Sequence, residues 1–288
     1  MTRPSSSVAR RESPAVSGAG NLYTALQRCI EASDPGEKIE RVNALAADFQ
    51  AMEYVSADEN TAPISLRAPG RPALPQLVSP RDLPQRGLGS VDGRAALLHA
   101  VTHIEFNAIN LALDAAYRFR AMPVQFIADW ISVAADEARH FSLLSARLEE
   151  LGHRYGGFDA HDGLWAMAER TAGSVLARMA LVPRVLEARG LDVTPGMIKR
   201  LRGLGDDRSA DILEIILAEE VRHVAIGSYW FAWCCERGQL DPDTTFIELI
   251  RGVGKGSIRG PFNLPARREA GFNDEELRLI ASLADSMP

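Results

Sequence analysis

The sequence predicts an all-α protein built around a four-helix bundle, in which two helix hairpins are joined by a crossover. Three observations carry that expectation. Apolar residues recur at 3-4 spacing from about Asn21 onwards, while alternating strand patterns are scarce. Four of the helical patterns are long, at about 93–120, 123–151, 161–189 and 207–237. An acidic-basic word also occurs twice, as Asp136-Glu137-Ala138-Arg139-His140 and Glu219-Glu220-Val221-Arg222-His223, in the second and fourth of these patterns.

Residues 1–20 are rich in Ser, Ala and Gly, carry Arg3, Arg10 and Arg11, and lack the apolar stretch of a secretory signal, so they read as a disordered tail. Residues 21–55 hold two short helices, at about 21–33 and 36–54, the second with Ile39, Val42, Leu45, Ala46 and Phe49 on one face. From 56 to 92 the chain contains Pro63, Pro69, Pro72, Pro75, Pro80 and Pro84. Proline removes a backbone donor and disfavours helix in the residue before it, so this stretch is expected as an extended connector laid along the main domain.

The bundle itself is expected over 93–240. Pro123 stands near the second helix start, and Gly152 and Gly190 stand near helix ends, as such residues usually do. Asp192-Val193-Thr194-Pro195 reads as a turn leading to a short helix around 196–203. Residues 241–288 then form a helical extension packed on the bundle. It comprises a helix near 242–251, a Gly/Arg/Pro-rich loop from Gly252 to Arg268, and a last helix around 274–285 with Asn273 as its cap.

At 288 residues and 46% hydrophobic content, the chain is long enough for one sizeable core. No apolar run reaches the roughly 18 residues of a membrane span. Three cysteines, two of them the adjacent Cys234 and Cys235, fit a reducing cytoplasm. The net charge of −6 gives no global drive towards nucleic acid or acidic membranes, and the basic charge is nearly all arginine.

The repeated word carries the chemistry. On a helix, positions i and i+3 share a side, so Glu137 with His140 and Glu220 with His223 each present an oxygen and a nitrogen inward. A further glutamate, Glu105 or Glu187, lies one helix upstream of each. Glu105 to Glu137 is 32 residues and Glu187 to Glu220 is 33, as two hairpins of equal size require. Four glutamates supply −4, which balances two divalent ions. The neighbours are apolar, among them Leu98, Val101, Ile109, Trp130, Val133, Leu144, Leu213, Ile216 and Trp230. Four unpaired carboxylates in such surroundings would be costly without metal.

Other residues compete less well. One Glu-x-x-His alone would be a solvated face more often than a ligand pair. Glu169 is an alternative to Glu187, although the 33-residue spacing favours Glu187. Pro183, four residues before Glu187, either kinks the helix so as to aim that carboxylate or is a tolerated bend near the helix end. Arg139 and Arg222 point away from the ligand direction and suit salt bridges with Asp136 or Glu219, or orientation of the ligands. Thr102, three residues before Glu105, suits helix packing or, less well, support of that ligand, and His99, His103, His153 and His161 suit structural roles. Tyr117 and Tyr229 lie roughly 18 and 13 Å along their helices from Glu105 and Glu220, which gives no case for a redox tyrosine beside the metals.

At these residues the chain resembles the ferritin-like superfamily of di-iron carboxylate proteins, because Glu105, Glu137 with His140, Glu187, and Glu220 with His223 follow its ligand order helix by helix. His103-Ile104-Glu105, Asp136 to Phe141, Leu186 to Asp192, Gly260-Pro261-Phe262-Asn263 and Ala270-Gly271-Phe272 also resemble an uncharacterised bacterial family of ferritin-like domains of unknown function, over nearly the whole chain from about residue 21. A more distant likeness is to the di-iron hydroxylase of a modified adenosine in tRNA. Arg251, Lys255, Arg259, Arg267 and Arg268 would supply its phosphate contacts, against an acidic chain with no aromatic-basic platform.

The resemblance implies two iron ions, with manganese or a mixed manganese and iron pair compatible with the same ligands. The expected activity is that of an oxygen-activating oxidase or monooxygenase, whose partners would be dioxygen, a small organic substrate and an electron donor, with a homodimer as a compatible assembly. The N-terminal helices, the connector and the 252–272 loop are more than a storage protein needs. Ferroxidase or metal-storage activity, and a metal-free helical scaffold, are the competing readings.

Overall fold

The computed structural model describes residues 20–51, 54–55, 63, 68–253 and 258–286. Among them, helices dominate: α1 (Leu22–Glu31), α2 (Pro35–Gln50), α3 (Val91–Arg118), α4 (Val124–Glu150), α5 (Gly163–Arg170), α6 (Val175–Leu181), α7 (Ala188–Gly203), α8 (Asp207–Gly238), α9 (Pro242–Val253), α10 (Leu264–Glu269) and α11 (Asp274–Ser286). A π-helical segment, Val182–Glu187, joins α6 directly to α7. The extended residues are few, chiefly a two-residue parallel pair of β1 (Gly20–Asn21) with β2 (Tyr54–Val55). No helix among the described residues is long and apolar enough to cross a membrane.

Local chemistry sets the helix starts. Side chains of Asn21, Asp34, Ser90 and Asp206 accept hydrogen bonds from Thr24, Glu37, Gly93 and Ser209 amides, satisfying N–H groups that no helical carbonyl reaches. Gln239 ends α8 in the left-handed conformation, at φ 53°.

The directions of the long helices follow from two apolar clusters. One holds Ala95, Leu98 and Val101 of α3, Leu144 and Leu148 of α4, Leu201 of α7 and the Ala210–Ile216 stretch of α8. The other holds α3 from Phe106, α4 up to Phe141, the chain from Met179 to Leu191 and α8 from Val224. Thus α3 and α8 run one way and α4 and the α6–α7 rod run the other. Because α4 and α6 start at the same end, residues 151–174 with α5 must carry the chain back along the bundle. That connection is the expected crossover.

Two breaks differ from expectation. The third long helix is not continuous over 161–189, since residues 171–174 interrupt it and Ser174 caps a new start at α6. Past Glu187 the helix then runs through Gly190 and Pro195, where a stop and a turn were expected. The reason lies far away in sequence. Pro195 has no N–H for the carbonyl of Leu191, and that carbonyl accepts instead from Asn263 Nδ2 at 3.1 Å. Asp192 beside it binds the buried Arg267 at 2.7 Å and accepts from the Asn263 amide.

α1 packs on α3 and α2 packs on α4. Lys38 of α2 is fully buried, and its ammonium reaches Cys29 O, Ile30 O and Asn110 Oδ1, each at 2.8 Å, closing the end of α1 against α3. The described part of the connector lies along the crossover, where Gln76 and Val78 pair with Ala160. Residues 1–19 of the expected tail, much of the connector before residue 68, and Lys255 lie outside the described residues. Part of the expected 252–268 loop is helix α10. Of its arginines, Arg267 is paired with Asp192, Arg268 ion-pairs with Asp274, and the Arg259 carbonyl accepts from Arg189.

Candidate metal centre

Between the two apolar clusters lies one polar layer, and the residues of the repeated word fill it. Glu105, Glu137, His140 and Glu220 can each offer one ligand atom such that all four atoms lie within 4.8 Å of one another, a group that could hold a metal ion. His140 presents Nδ1 to Glu105 Oε2 at 3.2 Å and to Glu137 Oε2 at 3.3 Å. His223 presents Nδ1 to Glu137 Oε1 at 3.0 Å and to Glu220 Oε1 at 3.4 Å. Glu137 therefore stands between the two imidazoles with one oxygen towards each. The ring centroids of His140 and His223 are 5.8 Å apart.

The outer nitrogens cross between motifs. His140 Nε2 meets Glu219 Oε2 at 2.8 Å, and His223 Nε2 meets Asp136 Oδ2 at 3.2 Å. With Nε2 turned outward to these acids, each Nδ1 is the nitrogen left towards the carboxylates, and it would ligate a metal that displaced its proton. Arg139 binds Glu219 and Arg222 binds Asp136, so the two arginines make the expected salt bridges and also fix the acids that orient the histidines.

Sequence reasoning gave Asp136 and Glu219 no role beyond those salt bridges. Their signal was in the repeat itself, since each word begins with an acid immediately before its candidate ligand glutamate.

Glu187 closes the π segment, which carries Pro183 in its first turn. A Cβ on Gly227 would lie 2.3 Å from Pro183 Cγ, so glycine there lets the π segment sit against α8. Pro183 thus lies in the middle of the α6–α7 rod rather than near a helix end. A π turn places side chains out of α-helical register and recurs at functional sites. Glu169, the alternative, is exposed at the end of α5. Thr102 donates to Leu98 O at 2.7 Å within its own helix.

The electrostatics are those of an acid cluster short of positive charge. Burial, reinforced by the charge of Glu137, pushes the Glu105 carboxyl well above its ordinary value. Burial with the charges of Glu220 and Glu137 does the same to Glu187, and burial with Glu137 raises Glu220. Burial would raise Glu137 too, but His223 and His140 hold it well below the usual carboxylate range. Against the effect of burial, hydrogen bonds to Glu105 and Glu137 push His140 up to about 11, and the charges of Glu137 and Glu220 raise His223 strongly. Protons do here what a cation would otherwise do.

The residues fit a metal on an independent count. Glu187 Oε2 is buried with no hydrogen-bond partner, and Glu137 Oε1 and His223 Nδ1 have only the ion-pair contacts given above. An unsatisfied buried polar atom costs about 1–3 kcal/mol, a cost that a ligand bound at Glu187 would remove. Carboxylate oxygen and imidazole nitrogen suit iron or manganese.

Beside this layer lies a second polar group on α3. His103, 6% exposed, lies with Nδ1 2.8 Å from the Tyr155 hydroxyl and with Nε2 3.0 Å from Asn107 Nδ2 and 3.2 Å from His161 O. His99 Nε2 accepts from the Gly156 amide at 2.9 Å. Burial pushes both imidazoles down to about 4, leaving them neutral, which agrees with the structural roles expected of them.

Residues 31–278 match a family model described as a protein of unknown function (DUF455). An uncharacterized protein of Haemophilus influenzae is 39% identical over 277 residues, covering 92% of this chain and 96% of that protein. No solved structure matches. A match over most of its length shows that the chain belongs to the DUF455 family.

Proposed function

We propose that this member of the DUF455 family is a dinuclear metal carboxylate protein of ferritin-like architecture, with Glu105, Glu137, His140, Glu187, Glu220 and His223 as its ligands. The observation that carries the reading is Glu137, whose two oxygens face two histidines from different helices while Glu105 and Glu220 flank them. Glu105, Glu137 and His140 would hold one ion, and Glu137, Glu220 and His223 a second. Glu187, with an unpartnered oxygen at the end of a π turn, fills the remaining ligand place.

The metals are taken to be iron, with manganese in one or both positions served by the same donors. When bound and reduced, the pair would supply electrons to dioxygen, and the proposed activity is oxidation or oxygenation of a small organic substrate, with an external electron donor. The protein supplies the rest. Apolar clusters on both sides of the layer exclude water, and Glu219 and Asp136 hold the imidazoles with Nδ1 towards the carboxylates.

Anaerobic loading with ferrous iron, metal analysis and exposure to oxygen test this reading. Two ions per chain and an oxygen-dependent absorption change are expected. Fewer than about one ion per chain, or no spectral change in loaded protein, would refute it.

A further inference from the structure

The C-terminal extension is tied to the α6–α7 rod on both sides of Glu187. The Ala188 amide donates to Pro183 O, and the turn so closed contains Arg184 and Glu187. Glu187 lies among Glu220, Glu137 and His223, whose charges it feels, whereas Arg184 reaches the extension. Arg184 is 2% exposed; its Nε donates to Ser228 Oγ of α8 at 3.2 Å and its Nη2 to Glu276 Oε1 of α11 at 2.6 Å. Three rings surround the guanidinium: Phe231 of α8 at 4.7 Å, Phe246 of α9 at 4.1 Å, and Phe272, in the turn before α11, at 4.5 Å.

A second buried pair lies on the other side of Glu187. Arg267 of α10 donates to both carboxylate oxygens of Asp192, at 3.0 and 2.7 Å, and also reaches Ala188 O at 3.4 Å. It lies 5.1 Å from the same Phe272 ring. Residues 184–192 are thus held to residues 267–276 by two ion pairs that bracket Glu187. The turn carrying Phe272 also lies hard against α8, since a Cβ on Gly271 would be 3.0 Å from Ser228 Cβ.

Stability alone does not account for these pairs. Apolar residues of similar volume often serve a core as well as a buried ion pair does, and Nη1 of each arginine is buried without a hydrogen-bond partner. What fixed donors give is direction. A π turn accommodates one residue more than the α-helix does, and losing that extra residue would rotate the chain beyond it by about 100° around the helix axis. Glu187 would leave the polar layer.

We propose that Arg184 and Arg267 are positioning residues for the metal centre, through which the C-terminal extension clamps the π turn and holds Glu187 in its ligand place. This rests on the dinuclear reading above, with Glu187 as a ligand. The extension then belongs to the metal site although none of its residues ligates. Coupling of this kind is reciprocal, so metal held by Glu187 also steadies the clamp.

Anaerobic titration of full-length protein with manganous ion, read by calorimetry, tests the clamp. In Arg184→Met/Glu276→Gln both charges leave together and the acceptor for the Asn273 amide stays, so the metal-free variant should melt near the parent temperature. Its affinity for one of the two ions should nevertheless fall about 10–100-fold. Leu26→Ala on α1 opens a cavity away from the clamp; it should lower the melting temperature yet bind both ions as the parent does. Hydrogen exchange of the unaltered protein needs no substitution. The Arg267, Phe272 and Leu277 amides, all bonded within the extension, should exchange about tenfold or more slowly with both ions bound. Should the double variant fail to fold, that exchange measurement decides alone. Parent affinity in the folded double variant, an equal loss in Leu26→Ala, or exchange unchanged by metal would overturn the clamp and leave the metal centre standing. A parent that binds fewer than two ions would overturn both.

Discussion

Replacing Glu137 by glutamine should separate a metal centre from an ordinary buried charge network. The substitution keeps the size of the side chain and removes its charge. Glu137 lies 3.0 Å from His223 Nδ1 and 3.3 Å from His140 Nδ1, and both imidazoles hold their protons more tightly than usual because of carboxylates such as this one. Removing one partner of a buried ion pair costs about 3–5 kcal/mol. Deprotonation of the rings relieves part of that cost, so the lower end, about 3 kcal/mol, is expected for metal-free protein. At roughly 2–4 °C per kcal/mol for a domain of this size, the metal-free variant should melt about 6–12 °C below the parent. Metal then makes the distinction. An ion that binds only the folded state stabilises it by about 2.7 kcal/mol at a hundredfold excess over Kd, a rise of roughly 5–11 °C. The parent should show that rise and bind two ions. The variant, lacking the carboxylate that reaches both positions, should bind at most one and show a smaller rise. Calorimetric melting with and without anaerobic ferrous or manganous ion, alongside metal analysis, measures both effects. A metal-free variant that melts with the parent, or a loaded variant that keeps two ions and the full rise, would refute the reasoning.

Three further outcomes follow from other groups. Asp136→Asn keeps every proposed ligand but weakens the acceptor at His223 Nε2, 3.2 Å away; metal titration should show an affinity loss of about 10–100-fold, and an unchanged isotherm would deny Asp136 its orienting role. Gly227→Ala places a Cβ 2.3 Å from Pro183 Cγ, so the π segment must shift; chemical unfolding should register a loss of about 1–3 kcal/mol, with reduced metal stoichiometry as Glu187 is displaced. Lys38 gives a pH signature. Burial pushes its ammonium down from 10.5 to about 7, so above pH 7 the unfolded chain holds a proton that the folded chain has released, and stability rises with pH until the unfolded lysine also titrates. Between pH 7 and 9 the parent should gain about 2–3 kcal/mol relative to Lys38→Met in urea unfolding. A flat difference would mean that the three acceptors around Nζ keep it charged.

The all-helical architecture was legible because the long helices keep apolar residues at 3-4 spacing on one face, and that periodicity is local. The polar layer was legible for the same reason, since a charged residue at an i, i+3 spacing in the middle of an apolar stripe stands out along a single helix. What was not legible depends on contacts between distant residues. Pro195 reads as a stop, and it would be one had Asn263 not supplied a donor to the carbonyl it frees. The π segment has no periodicity of its own, and Pro183 is tolerated there because Gly227, on another helix, leaves room for the ring. Asp136 and Glu219 sit in plain view in the repeated word, but their partners are histidines on the opposite helix.

The crossing of those partners bears on why the word is repeated as a unit. Asp136 acts on the histidine of the second motif and Glu219 on that of the first, while Arg139 and Arg222 bind the same two acids across the helix pair. Losing the leading acid from one copy would leave the other copy's histidine without its outer acceptor. Each five-residue word thus carries one half of a mutual arrangement: its inner glutamate and histidine face the centre, and its outer acid and arginine serve the other word. A shift of α4 along α8 by a single turn, about 5.4 Å, would break all four cross-helix contacts together. The two words therefore fix the register of the helix pair as well as the inward groups, and the geometry of the centre depends on both being intact.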